Sequence, residues 1–143
     1  MASRDYLIRQ LEEMGFFLST LLRRIRKMQE ENKQDQMESA VREELSNELK
    51  LDLDQIIVLE NEEFLSLVKT QFTSDNQLEK LADILFVLGK DIQISFTISR
   101  ANYLRKALFL FSRLQETSSD FSYERKVKIE EIREIIRIKE IGY

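Results

Sequence analysis

Apolar residues recur through the first thirty positions at intervals that only a helix gathers onto one face. Leu7, Leu11, Met14, Leu18, Leu21, Ile25 and Met28 are spaced 4, 3, 4, 3, 4 and 3 residues apart, a heptad seam. Ile8, Phe17 and Leu22 widen the seam into a broad stripe, the pattern of a bundle helix rather than of a two-stranded coiled coil. The spacing predicts a helix over 4–30, with Ser3 or Asp5 as its N-cap, fading in the polar stretch 29–36. A second helix is expected over 37–50, with Met37, Ala40, Val41, Leu45 and Leu49 inward.

The densest apolar runs lie in the centre. Ile84 to Leu88 are five consecutive apolar residues, and Ala107 to Phe111 are five more. A helix that is apolar nearly all round has to be covered on most sides, so these segments predict two antiparallel helices at the middle of the domain. Before them, LDLDQIIVLENEEF reads as a break containing a short helical turn. Asn61 followed by Glu62 and Glu63 signals a helix start, with an amide to cap and two carboxylates where the dipole favours negative charge; this helix is expected to run to Phe72. Ser74, Asp75 and Asn76 offer the next cap, with Gln77 or Glu79 to close a capping box, and Gly89 is the expected C-terminal residue because it tolerates positive φ.

Segment 91–99, DIQISFTIS, alternates apolar and polar residues as a strand does. No other segment offers it a partner, and an unpaired strand leaves backbone groups unsatisfied, so it is expected to be an extended connector. Helix resumes over 99–117. After TSSDFS, a last helix spans 123–141 with Val127, Ile129, Ile132, Ile135, Ile136 and Ile138 on a wide face. The sum is an all-α single domain, 1–143, of six or seven helices in antiparallel pairs: a long N-terminal helix over 4–30, acidic helices over 37–72, a central pair over 76–117 and a C-terminal helix over 123–141.

The central pair resembles one degenerate tetratricopeptide repeat. LEKLADILFVLGK places Leu81-Ala82 at the small-residue contact of the first helix and Gly89 at the turn, and ANYLRKALFLF places Tyr103 and Ala107-Leu108 on the second. The turn is longer than the motif's and its terminal Pro is missing. Repeats of this kind bury a continuous core only by stacking, so flanking helices would have to cover this pair. The order of elements, opening with DYLIRQLEEMGFFLSTLL, also resembles a family of small uncharacterised bacterial helical proteins. These resemblances imply a TPR-like helical bundle or superhelix and carry no activity.

Composition narrows the chemistry further. The chain has no Pro and only three Gly, which suits helix throughout, and no Cys, which removes disulfides and thiolate sites and is compatible with the cytoplasm. Arg4, Asp5 and Arg9 stand where a secretory leader would need an apolar run. No apolar stretch approaches the roughly 20 residues of a membrane span. A cytoplasmic protein with no membrane partner is the expectation. Of the net charge of −4, residues 1–29 hold six basic and three acidic groups, whereas residues 30–63 hold three and twelve. Such asymmetry lets segments of one chain attract one another, or lets a charged partner dock.

Candidate sites were few. The chain contains no His, which removes Ser-His-Asp and Cys-His nucleophiles, most zinc sites and Glu-x-x-His di-iron sites. Ser66-Leu-Val-Lys69 and Ser74-Asp75-Asn76 match S-x-x-K and S-D-N, but the K-T-G element is absent and the two lie side by side, so a helix face and a cap are the expected roles. Asp52, Asp54 and Glu63 fall at positions one, three and twelve of an EF-hand loop whose position six is Ile57 instead of Gly, so calcium is not expected. Glu60, Glu62 and Glu63, and Arg23, Arg24 and Arg26, remain as candidate interaction surfaces. Nucleic acid would want more positive charge with interleaved aromatics. The expected function is a non-enzymatic protein-interaction or scaffold module without cofactor or metal. The alternatives are a helical protein with an apolar cavity for an apolar or small ligand, or a carboxylate-based enzyme, and, after these, a nucleic-acid module. Homodimerisation is expected from the broad stripes on the first and last helices, which exceed what one core covers.

Overall fold

The computed structural model describes residues 2–90 and 97–141. Seven helices occupy them: α1 (Ala2–Glu30), α2 (Gln34–Leu49), α3 (Leu53–Ile56), α4 (Asn61–Val68), α5 (Asp75–Lys90), α6 (Ile98–Thr117) and α7 (Tyr123–Ile141). No strand occurs among the described residues, and the all-α expectation holds.

The antiparallel pair of α5 and α6 forms the centre, as the two apolar runs require. From Leu81 to Gly89 every residue of α5 is buried, and α6 contributes fully buried Tyr103, Leu104, Ala107 and Phe111. Phe86 meets Phe111 edge-on, with ring centroids 6.4 Å apart, the arrangement ring quadrupoles favour. Around this pair, α1 packs on α5 and α7 on α6, while α2 folds back along α1. Ion pairs Glu79–Arg125, Asp83–Lys128 and Lys90–Glu131 advance together along α5 and α7, so those helices run parallel.

With glycine scarce, other residues end the helices. Asn32 adopts φ 59° after α1, and the Lys33 amide donates to the Met28 carbonyl at 2.7 Å while the Asn32 amide donates to Gln29. That is the Schellman pattern with Asn in the left-handed position. Lys50 closes α2 in the same left-handed region, φ 56° and ψ 30°. Expected boundaries shift accordingly. α1 starts at Ala2, which puts Ser3 and Asp5 within its first turn instead of ahead of it, and α2 begins at Gln34, three residues early.

Three local assignments are corrected. Asn61 is the first residue of α4 rather than its cap, and its Oδ1 accepts from Lys106 Nζ at 2.9 Å. α4 ends at Val68, and the chain turns on to Phe72, whose amide still reaches the Val68 carbonyl. Gly89 lies within α5, and no glycine among the described residues has positive φ. A Cβ there would stand 2.6 Å from Leu104 Cγ and 3.0 Å from the Arg100 carbonyl, so Gly89 serves close helix approach instead of a turn. Of the expected connector, 91–96 lies outside the described residues; Thr97 is extended and its hydroxyl caps α6, accepting from the Arg100 amide at 3.2 Å.

Candidate functional site

The stripe on α1 is continuous in sequence but is covered only along its later part. Leu18, Leu21, Leu22 and Ile25 are buried. One and two turns earlier, Leu11 is 43% exposed, Ile8 45%, Leu7 58% and Tyr6 58%. One contact marks the level at which coverage stops. Buried Gln77, in the first turn of α5, donates through Nε2 to the Leu11 carbonyl at 3.2 Å, while its Oε1 accepts from the Thr73 amide and its own amide donates to Ser74 Oγ. This is the expected capping box, except that the glutamine oxygen reaches the residue before the cap and its nitrogen fastens a second helix. Since α5 starts level with Leu11, residues 2–10 of α1 run past the start of α5 by about 13 Å at the helical rise.

Beneath this overhang lies an open groove of about 600 Å³. One wall is Leu7, Leu11, Met14 and Phe17 of α1; the other is Leu49 at the end of α2 together with Thr70, Gln71 and Thr73 of the loop after α4. Among the described residues its charged lining consists of the carboxylates Glu13 and Glu48. The groove can take an apolar helix face or an aliphatic group. Sequence periodicity had marked these side chains as core, and the width of the stripe was the one signal that they exceeded it.

The acidic candidates sit elsewhere, at the start of α4. Glu62 pairs with Arg113 of α6, and Glu60 precedes the first helical residue. Behind them the Lys106 ammonium reaches Asn61 while lying 5.6 Å from the Phe64 ring centroid; burial pushes its pKa down and the nearby Glu60 opposes that. The stem is buried and the head is held by one amide, which is a structural role.

The basic candidates occupy the later part of α1. Arg24 pairs with Glu44 of α2 at 3.3 Å. Arg23 and Arg26 line a shallow exposed hollow, and among the described residues neither has an ion pair within 4 Å. The structure does not bring the Arg23–Arg26 and Glu60–Glu63 groups together through any ion pair among the described residues; of the expected attraction between the acidic middle and the basic ends, the Arg24–Glu44 and Glu62–Arg113 pairs form.

The rejected motifs have structural employment. Asp52 caps α3, accepting from the Asp54 and Gln55 amides, and Asp54 holds Arg42 through two bonds of 3.1 Å, so neither aspartate is free for a cation. Among the described residues no cluster of His, Cys, Asp or Glu could hold a metal. Ser66 is exposed on α4, Lys69 is exposed at its C-cap, and Ser74 caps α5. Buried polar groups also go to structure. The Tyr103 hydroxyl donates to Glu38 Oε2 at 2.8 Å, and its pKa is raised by burial first and by that hydrogen bond second. Arg125 donates to both Glu79 oxygens, at 2.7 and 2.9 Å, and to Gln115 Oε1.

No family model, curated protein or solved structure matches the chain. Among the described residues no helix is long and apolar enough to cross a membrane.

Proposed function

We propose that this chain is a non-enzymatic helical interaction module, acting in the cytoplasm, that receives an apolar helix of another polypeptide in the groove under the start of α1. One observation carries the reading: the stripe that is buried at Leu18 to Ile25 continues uncovered through Leu11, Ile8 and Leu7. A contiguous apolar patch rimmed by polar residues is the usual mark of a docking surface, and a helix laid in an apolar groove is a recurrent recognition mode. The acidic start of α4 and the basic later part of α1 are secondary surfaces in this reading.

The test is a photo-crosslinking phenylalanine derivative placed at position 10, between the exposed leucines, with the protein irradiated in lysate of its source cells. Covalent adducts to polypeptide, lost when Leu7 and Leu11 are both changed to Glu, are the expected result. Adducts confined to small molecules, or none, would refute the docking of a polypeptide.

A further inference from the structure

We infer that the helix received by this groove is the same overhang of a second copy, so that two chains exchange the starts of α1 about a two-fold axis. The inference rests on the interaction reading above and names its partner.

The first argument is length. An overhang of nine residues spans about 13 Å, and the groove wall from Leu7 to Phe17 spans about 15 Å of the same helix. An antiparallel partner overhang therefore fits the wall from end to end. In an isologous pair each chain supplies both the overhang and the groove, so the contact closes at two copies and leaves neither apolar surface to recruit a third.

The second argument is charge. Among the described residues the groove holds Glu13 and Glu48 and no cation, whereas the overhang carries Arg4 and Arg9 against the single acid Asp5. The overhang of a second copy is thus of the opposite sign to the groove it would enter. All three overhang charges are exposed, and no ion pair within 4 Å engages them among the described residues. Arg4 is the partner assigned to Glu48 of the other copy.

The third argument is area. Tyr6, Leu7, Ile8 and Leu11 keep about half of their surface in water. Covering them would remove roughly 400 Å² per copy at about 200 Å² for a large side chain. Two copies give about 800 Å², and the remaining wall residues of the two grooves, Met14, Phe17, Leu49 and the loop after α4, bring the total to about 1,000 Å², the lower edge of a specific interface. A dimer that forms and separates in the micromolar range is therefore expected, rather than an obligate one.

Sedimentation of the purified chain across the micromolar range tests this. The expected result is a concentration-dependent rise from 17.1 kDa to twice that mass. Leu7→Glu combined with Leu11→Glu should weaken association by about a hundredfold or more, since each buries a charge at the centre of the interface. These sites are half exposed, so an unchanged helical circular-dichroism signal shows that the fold is intact. Arg4→Glu alone should weaken association about tenfold, and adding Glu48→Arg should restore it. A single-chain mass at every concentration overturns the inference, and so does a dimer indifferent to both leucine changes. The crosslinker at position 10 separates the two readings. Adducts to a second copy support both, adducts only to a different polypeptide overturn the dimer and leave the interaction module standing, and no polypeptide adduct overturns both.

Discussion

Among the described residues two glycines stand within helices, and the same substitution at each should move stability in opposite directions. At Gly89 an added Cβ would lie 2.6 Å from Leu104 Cγ and 2.9 Å from Leu104 Cδ2, against an ordinary carbon contact of about 3.5–4.0 Å. Leu104 is fully buried, and the third neighbour, the Arg100 carbonyl 3.0 Å away, is backbone, so the gap opens only if α5 and α6 separate or Leu104 leaves its rotamer. Overpacking of this kind costs about 1–3 kcal/mol, while replacing a helical glycine by alanine returns about 1 kcal/mol or less. Gly89→Ala should therefore lose about 1–2 kcal/mol. At Gly15 nothing lies within 4 Å of the added Cβ, so the helical gain stands alone and Gly15→Ala should gain about 0.5–1 kcal/mol. Equilibrium urea unfolding followed by helical circular dichroism reads both, and an unchanged slope assigns the shift in midpoint to stability. The double variant Gly89→Ala with Leu104→Val should lose less than the sum of its parts, because trimming Leu104 makes room for the new methyl. A Gly89→Ala protein as stable as the parent, or a Gly15→Ala protein less stable, would refute the reading of where α5 and α6 touch.

Tyr103→Phe removes the hydroxyl that donates to Glu38 and should cost about 1 kcal/mol at neutral pH. It should also change the alkaline limb of stability. The folded protein holds the Tyr103 proton above the ordinary value of 10.0, so past that pH the unfolded chain binds fewer protons and stability falls, by at most about 1.4 kcal/mol per pH unit. Unfolding series at rising pH should show a shallower decline in the variant, and equal declines would count against a buried hydroxyl. Glu79→Ala leaves the nearly buried Arg125 guanidinium with Gln115 as its side-chain hydrogen-bond partner among the described residues and should cost about 2–3 kcal/mol; hydrogen exchange should quicken first in α7, and unchanged α7 protection would sink the idea that this pair fastens it. Lys50→Gly relieves a left-handed backbone at the end of α2 and should raise stability by about 1 kcal/mol, a sign that thermal unfolding would report directly.

The helices, their order and the central pair were legible in the sequence because each is written in local terms. The 3.6-residue recurrence of Leu and Ile, the absence of proline and the two all-round apolar runs call for helix whatever surrounds them. Caps were less legible, since several polar residues in a row can each do the job. Asn61 proved to be a ligand for Lys106, and Lys50, which carries no turn signature, ends α2. Gly89 shows the same limit: one glycine serves a turn or a close packing point, and only the position of Leu104 decides which.

The candidate site depended on tertiary structure almost entirely. The sequence by itself determined that α1 carries a stripe from Leu7 to Met28 wider than a two-helix seam. Whether a given leucine on that stripe is core or surface depends on where the neighbouring helices begin, and the bond from Gln77 to the Leu11 carbonyl, 66 positions away in the chain, marks that level. Periodicity reports which way a side chain points along its own helix. Burial requires a second helix at the same height, and only the tertiary structure supplies the height.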